Sequence, residues 1–151
     1  MIFCTVGTTD FDDLVRAMDD VAPTLDTEII AQIGRGDYVP HNIEHFRFAP
    51  SLDPYYARAD IVVAHGGLGT AIEVIQRGLP LIGVSNPDRY DHHQDDLLGA
   101  LESRGHMAWC RDLADLPALL AEIGSREFVP YKSPPCTIAA EIRRYLGLSE
   151  R

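Results

Sequence analysis

The sequence predicts an α/β protein with a Rossmann-like, open, mostly parallel sheet and helices on both of its faces. Strand-like runs alternate with helix-like segments from end to end, a pattern typical of parallel sheets with helical crossovers. Residues 61–64 are continuously apolar, as expected for a strand buried on both faces. A glycine-rich turn, His65 to Thr70, follows this run. Since ligands of such sheets bind at the carboxyl ends of the strands, function is expected there.

Six strands are predicted from short runs rich in apolar and β-branched residues. The first, residues 2–6, precedes Gly7, and the second, residues 27–33, ends before Gly34. The others are predicted at 43–48, 61–64, 81–84 and 106–110. Residues 129–135 are interrupted by prolines, which predicts a connector rather than a strand.

The first two helices are predicted from their start and stop signals. Asp10 is the expected N-cap of a helix that continues to about residue 21 and that Pro23 ends. Ser51 or Asp53 is the expected cap of a short second helix, with Pro54 at its favoured first position.

The remaining helices are predicted from apolar residues at helical spacing. Leu68, Ile72 and Ile75 form one face of the helix after the glycine turn, which Gly78 and Pro80 end. Later helices are predicted at 94–104, 113–123 and 137–146. The apolar face of the last could dock on a partner or pack on the chain's own sheet.

Length and composition predict one domain, 1–151, in which 128–151 form the connector and the C-terminal helix. Hydrophobic residues make up 46% and charged residues 24% of the chain, as in ordinary globular proteins. No apolar stretch reaches roughly 18 residues, so neither a spanning helix nor direct membrane insertion is predicted. The net charge of −10 argues against nucleic acid as a partner and against docking on anionic lipid.

The cellular compartment is predicted from the N-terminal residues and the cysteines. The chain starts in a strand-like run without the basic region and long apolar core of a signal peptide. Cys4, Cys110 and Cys136 are far apart and lack metal-ligand spacing, which predicts neither disulfides nor a zinc site. We therefore expect a cytoplasmic protein with reduced thiols, and Cys4 in its core.

The turn His65-Gly66-Gly67-Leu68-Gly69-Thr70 is the first candidate site. Strand, glycine turn and helix together point backbone N–H groups at an anion. The turn lacks the lysine of a P-loop and the spacing of the dinucleotide fingerprint. Both a phosphate site and a turn that merely requires glycine remain open interpretations.

Glu73 lies near the start of the helix that follows this turn. A carboxylate one turn away from bound phosphate can accept hydrogen bonds from both ribose hydroxyls of a nucleotide, a task that an acid performs in dinucleotide folds. The alternative is a glutamate of the first turn that the helix dipole favours.

Asp91-His92-His93-Gln94-Asp95-Asp96 is a second polar cluster, and three interpretations remain open for it. A metal site would use the histidines and carboxylates, but adjacent histidines point in different directions. A polar loop is the simplest alternative. Recognition of sugar hydroxyls needs both donors and acceptors, which Gln94 and Asp96 supply.

Gly7-Thr8-Thr9-Asp10 forms a second loop at the end of a strand. It could hold the other side of a diphosphate or simply cap the first helix, and Gln32 to Gly34 could face the same cleft. Both glycine loops should line the same edge of the sheet. No Ser/His/Asp or Cys/His nucleophile set is recognisable.

Taken together, these motifs resemble a family. The turn 65–70 with Glu73, then Gly78-Leu79-Pro80, then His93-Gln94-x-Asp96-Leu97 resembles the donor-binding half of GT-B glycosyltransferases of the MurG type. The opening Val6-Gly7-Thr8-Thr9-x-Phe11-Asp12-x-Leu14 is similar to the small single-domain members of glycosyltransferase family 28, which act in dolichol-linked glycan and bacterial exopolysaccharide synthesis.

The resemblance implies a UDP-sugar site and the role of each residue in it. The diphosphate would meet Gly66, Gly67, Gly69 and Thr70, with His65 close by. Glu73 would bind the ribose, while Phe48 and Ala49 would hold the uracil. Gln94 and Asp96 would contact the donor sugar, and Gly7, Thr8 and Thr9 would border the phosphates and the acceptor side.

The resemblance also implies a transferase that needs a second chain. A full GT-B enzyme has an N-terminal domain for the acceptor, and 151 residues leave no room for it. The implied partner is a membrane-anchored subunit that binds a lipid-linked saccharide and recruits this chain to the cytoplasmic face of the membrane. No metal or other cofactor is expected. The base would belong to the partner, with His65 and His93 as candidates in this chain. Asp96 stands where related chains often have Glu, which leaves the donor sugar open.

Overall fold

The computed structural model describes residues 1–87 and 93–146. Within them, six parallel strands form one sheet in the order β3-β2-β1-β4-β5-β6. The strands are β1 (Ile2–Thr5), β2 (Ile29–Gln32), β3 (Glu44–Phe46), β4 (Ile61–His65), β5 (Leu81–Val84) and β6 (Ala108–Cys110). This is the doubly wound order, in which the direction of winding reverses between β1 and β4.

Helices cover both faces of the sheet, as the sequence predicts. They are α1 (Asp12–Val21), α2 (Asp53–Arg58), α3 (Leu68–Gln76), α4 (His93–Ser103), α5 (Leu116–Ile123) and α6 (Ile138–Tyr145). Neighbouring strand residues point to opposite faces, so Cys4 and Val63 pack with α1 and α5. Phe3 and Val62 pack with α2, α3 and α4 instead. No helix in the described ranges is both long and apolar enough to cross a bilayer.

The start of α1 differs from the prediction. Asp10 does not cap the helix, because Phe11 occupies the N-cap position with an extended φ of −159° and no side-chain cap. The Phe11 side chain is buried in the core, and the backbone carbonyl of Asp10 accepts a hydrogen bond from Asn86 at 3.0 Å. Tertiary packing of Phe11, rather than capping chemistry, therefore determines where the helix begins.

The exposure of Leu68 contradicts its predicted place on the buried face of α3. Leu68 is 60% exposed, whereas Ala71, Val74 and Ile75 are buried. The first turn of α3 stands at the carboxyl edge of the sheet, where the strands no longer cover it. Residues 129–135 form the predicted connector, and the described cysteines are thiols, with Cys4 buried. Burial raises the pKa of Cys4 to about 12.

The side chains of Ile138, Ile142 and Tyr145 on α6 do not pack on the sheet. Ile138 is 66% exposed, Ile142 53% and Tyr145 91%. Of the two interpretations of this helix, packing on the chain's own sheet is therefore wrong.

Asp19 is a buried carboxylate that fixes the loop after β2. Tyr38 donates its hydroxyl to Oδ2 at 2.6 Å, and the backbone amides of His41 and Asn42 donate at 3.0 and 2.6 Å. Burial alone would raise the pKa of Asp19, but these hydrogen bonds outweigh burial and lower it. Its contribution to folding is therefore present above the unfolded-state pKa near 4 and is lost as the pH falls through the lower folded-state pKa.

Asp19→Asn is expected to reduce the free energy of unfolding at pH 7 by about 2–3 kcal/mol, because an amide replaces the charged acceptor that Tyr38, His41 and Asn42 share. The difference from the wild-type chain should shrink as the pH falls below about 4. Urea unfolding across a pH series measures this. Asp20→Asn, at an exposed neighbouring position, is the control; equal losses at both positions would contradict the assignment.

Candidate functional site

Two glycine loops meet at the point where the sheet reverses its winding. Gly7 follows β1 and His65 ends β4, and these strands pair directly. The His65 ring lies between the loops: a Cβ added at Gly7 would stand 3.0 Å from Cε1, and one at Gly67 2.5 Å from Nε2. A side chain at Gly67 would force the ring to move, and Gly7 also favours glycine because its φ of +64° lies in the left-handed region. The prediction that both loops line one edge is confirmed.

The Gly7 loop is anchored by buried polar residues that the sequence analysis missed or misplaced. The Gly7 amide donates to Thr5 Oγ1 at 3.0 Å, and that hydroxyl donates to Gln32 Oε1 at 2.6 Å. Thr5 and Gln32 are buried, so Gln32 supports the loop from below rather than facing the cleft. The sequence signal for this anchor is the polar residue that ends each of two otherwise apolar strands, Thr5 in β1 and Gln32 in β2.

Thr8 and Thr9 have different surroundings in the same loop. The Thr9 hydroxyl donates to the Val6 carbonyl at 2.9 Å, which closes the turn, whereas Thr8 is exposed. Gly34, with φ of +54°, packs beneath the turn, and a Cβ there would stand only 2.1 Å from the Thr9 carbonyl oxygen. Thr8 is thus the hydroxyl that this loop presents outward.

The first turn of α3 forms the other side of the site. Gly67 is its N-cap without a side-chain cap, and the first N–H groups of a helix have no partner within it. Gly66, Gly67 and Gly69 have ordinary backbone angles, because the positive-φ glycines are Gly7, Gly34, Gly78 and Gly105. The turn is nevertheless tight, since the Gly67 amide donates to the His65 carbonyl oxygen, two residues back, at 2.8 Å.

Close approach of neighbouring side chains also favours glycine in this segment. A Cβ at Gly66 would stand 2.9 Å from the Cβ of Gln94, and His65 restricts Gly67. Gly69 has nothing within 4 Å of its Cβ direction, so the surface of the first turn is open at that position. Thr70 is half-buried beside it. Open amides at a helix N-terminus are suited to an anion.

Residues 66–70, the glycine turn and the first turn of α3, are called the glycine cradle below. Gln94 lies beside this cradle, near the start of α4. Its Oε1 accepts the Asn86 amide at 2.9 Å, which leaves its amide nitrogen to donate to a ligand. His93 and Asp96 are exposed on the first turn of α4. Asp91 and His92 lie outside the described residues; within 1–87 and 93–146, no group of three metal-ligating side chains is arranged to hold an ion.

Glu73 lies in the second turn of α3, and no acidic residue occupies the first turn. The explanation that the helix dipole favours a first-turn glutamate is therefore wrong. Glu73 is about half exposed and pairs with Arg77 at 3.0 Å, and Arg77 also contacts Asp53 at 2.5 Å. The structural alternative to ribose binding is this ion pair.

Phe48 and Ala49 follow β3, which ends at Phe46 rather than at residue 48 as predicted. Phe48 is 54% exposed, so the loop projects its ring and backbone beyond the sheet. Because β3 is parallel to β2 and β1, this loop lies at the same edge as the Gly7 loop.

A cavity of about 600 Å³ adjoins the cradle on the side of β5 and β6. Its walls include Asn86, Gln94, Trp109, Arg111 and Asp112. Of the predicted site residues, Gln94 alone is among its lining, so the cavity and the glycine cradle are neighbours. The first N–H groups of α3 have no partner within the helix, so the cradle rather than the cavity is the part suited to an anion.

Comparison with known proteins identifies the family. Residues 1–132 match the glycosyltransferase family 28 C-terminal domain. The chain belongs to this family. It is 34% identical over 122 residues to human UDP-N-acetylglucosamine transferase subunit ALG13, an alignment that covers 72% of this chain and 11% of the relative.

Two further similarities bear on the glycosyltransferase family. A Rickettsia akari UDP-N-acetylglucosamine–N-acetylmuramyl-(pentapeptide) pyrophosphoryl-undecaprenol N-acetylglucosamine transferase is 29% identical over 125 residues, covering 74% of this chain and 32% of that protein. The solution structure of ALG13 matches with a TM-score of 0.61 at 19% identity, over 95% of this chain and 93% of that one. The aligned part of this chain thus spans 11% of the length of the human relative and 32% of the length of the Rickettsia relative.

The family match confirms the fold and the resemblance that the motifs imply. The glycosyltransferase family 28 C-terminal domain is the donor-binding half of GT-B glycosyltransferases, and the open parallel sheet described above has that architecture. The roles of the individual residues remain predictions.

Proposed function

We propose that this chain is the donor-binding, catalytic subunit of a two-component glycosyltransferase. It transfers a hexose-type sugar from a UDP-sugar to a lipid-linked saccharide acceptor in polysaccharide or glycan synthesis. The observation that carries the proposal is the packing of His65 between Gly7 and Gly67, which brings two loops and the N-terminus of α3 to one edge. The activities for which the human and Rickettsia relatives are named support the donor and the acceptor class.

The donor is proposed to lie across the carboxyl edge of the sheet. The open first turn of α3 takes the diphosphate, Glu73 takes the ribose, and the loop after β3 takes the uracil. The donor sugar extends toward Gln94 and Asp96 on α4. Gly7, Thr8 and Thr9 border the phosphates on the acceptor side.

The proposed reaction is a direct displacement at the anomeric carbon. The oxygen of an acceptor hydroxyl forms a bond to that carbon while the bond from the carbon to the UDP β-phosphate oxygen breaks. The hydroxyl proton passes to a base. Backbone amides and the dipole of α3 stabilise the negative charge that develops on UDP, without a metal or other cofactor.

The base is proposed to come from the partner chain. The His65 ring is packed between glycine backbones, which suits a spacer beside the phosphates, and His93 is exposed at the start of α4. These two are the candidates within this chain.

Two surfaces support a membrane-anchored partner. The carboxyl edge of the sheet, where the donor is proposed to lie, is open rather than enclosed, as expected of one wall of a cleft that a second domain completes. On α6, the apolar side chains of Ile138, Ile142 and Tyr145 are exposed. The human relative is itself named as a subunit.

A panel of UDP-sugars, assayed with and without the co-expressed partner and a lipid-linked acceptor, tests the proposal. Transfer is expected only with both chains present, whereas UDP binds this chain alone. Ile142→Glu on α6 should lower partner-dependent transfer without changing UDP affinity, and Arg143→Gln on the same helix is the control. Full transfer by this chain alone would refute the two-component arrangement.

The alternative is a non-catalytic, nucleotide-sugar-binding regulatory module. It predicts that the partner alone transfers the sugar and that UDP binding to this chain only changes the rate. The same assay, run with the partner alone, separates the two functions.

A further inference from the structure

One guanidinium nitrogen of Arg77 connects α2 to the carboxylate of Glu73, which is proposed above to bind the ribose. Nη2 of Arg77 lies 2.5 Å from Asp53 Oδ1 and 3.0 Å from Glu73 Oε1. The guanidinium carbon also lies 4.8 Å from the centre of the Tyr56 ring. Arg77 therefore has three partners, on α2 and α3, that restrict where its charge can sit.

The partners of Arg77 on α2 are themselves held in place. Ser51 donates its hydroxyl to Asp53 Oδ2 at 2.9 Å and accepts the Asp53 amide at 3.1 Å. Tyr56 is 2% exposed, within the core beneath α3. Burial first, and then the negative charge of Glu73, raise the pKa of Tyr56 to about 12, in keeping with a ring close to that carboxylate.

The consequence of this network lies in geometry rather than in stability. The side chains of Arg77, Glu73 and Asp53 are 36%, 46% and 68% exposed, and ion pairs between such groups contribute little to folding. An exposed glutamate would otherwise exchange among several rotamers. Holding it through Oε1 reduces that freedom and leaves Oε2 outside the ion pair with Arg77.

We propose that Arg77 is a positioning residue, which holds the Glu73 carboxylate ready for the ribose hydroxyls of the nucleotide. The inference rests on the proposed function. It gives Arg77 a role that the motif itself does not assign, and it makes Asp53 and Tyr56 the supports of that role. Fixing a ligand's partner before binding saves the entropy of ordering it in the complex.

Calorimetric titration of the full chain with UDP and with 2′,3′-dideoxy-UDP tests the inference. Arg77→Met should weaken UDP binding about three- to tenfold, the range of one well-formed hydrogen bond, and leave dideoxy-UDP binding unchanged. Added to Glu73→Gln, it should cause no further loss. Arg77→Lys, which keeps the cation, should restore part of the affinity.

Two more variants complete the design. Asp53→Asn removes a support of Arg77 without altering Arg77 or Glu73, and should give a smaller loss with the same dependence on the ribose hydroxyls. Arg126→Met breaks the ion pair between Glu122 and Arg126, which lie four residues apart with a separation of 3.2 Å. This control should change neither the UDP affinity nor the dideoxy-UDP affinity. If Arg77→Met failed to fold, Asp53→Asn and Arg77→Lys would decide the question.

The outcomes that overturn the inference are distinct from those that overturn the proposed function. An unchanged UDP affinity in Arg77→Met, an equal loss for both ligands, or a loss additive with that of Glu73→Gln would overturn the positioning role alone. Absence of UDP binding by the wild-type chain would overturn the proposed function and this inference with it.

Discussion

Replacing Glu73 with glutamine is expected to weaken UDP binding about 10- to 100-fold without loss of the fold. In the proposed complex the carboxylate accepts from both ribose hydroxyls, and a hydrogen bond to a charged group contributes about 1.5–3 kcal/mol, where about 1.4 kcal/mol is tenfold in affinity. Glutamine offers one neutral acceptor in place of two charged oxygens. Calorimetric titration with UDP measures the effect.

The chain contains a matched control for this prediction. Glu122 pairs with Arg126 four residues along α5, as Glu73 pairs with Arg77 on α3, so Glu122→Gln removes the same kind of surface contact away from the site. UDP affinity should not change in that variant. Pyrophosphate, which has no ribose, should bind the wild-type chain and Glu73→Gln equally. An unchanged UDP affinity in Glu73→Gln, or an equal loss for UDP and pyrophosphate, would refute the ribose assignment.

Gly34→Ala is expected to lower the free energy of unfolding by about 3 kcal/mol or more. Its φ of +54° lies in the left-handed region, which costs an alanine about 1–2 kcal/mol. The added Cβ would also stand 2.1 Å from the Thr9 carbonyl oxygen, a backbone atom that can move only with the whole Gly7 loop. Urea unfolding at neutral pH measures the loss.

Two other glycines separate the two causes. Gly78 has φ of +72° and nothing within 4 Å of its Cβ direction, so Gly78→Ala should lose only the conformational cost, about 1–2 kcal/mol. Gly124 has φ of −65° and equally open surroundings, so Gly124→Ala should be neutral or slightly stabilising. Equal losses at Gly34 and Gly78 would show that the contact with Thr9 is unimportant.

The sequence predicted the parts of the site that depend on local pattern. The apolar run before His65 and the glycines after it mark a strand that leads into a helix, because burial on two faces and the close approach of backbone leave direct traces in residue type. The same holds for Gly7 at the end of β1. The placement of both loops at one edge followed from the rule for parallel sheets, and the strand order agrees with it.

Contacts between residues distant in sequence could not be predicted from local sequence patterns. Asp10 was predicted to cap α1, but burial of Phe11 moved the start of the helix to Asp12. Gln32 was expected at the cleft, but its bond to Thr5 holds it beneath the loop. These outcomes depend on side chains that are distant in sequence, and a local pattern does not register them.

The alternation of strand-like and helix-like runs was enough to predict the fold class, and the glycine spacing was enough to locate both loops, because each depends on residues close in sequence. The family followed from the resemblance of these motifs to known glycosyltransferases. The surroundings of those glycines follow only from the folded chain: Gly7 and Gly67 lie against the His65 ring, Gly66 lies against Gln94, and Gly69 has open space beside it. Folding also pairs Glu73 with Arg77, which contacts Asp53 as well. The physical reason is that close packing and ion pairs join segments that the chain brings together only on folding.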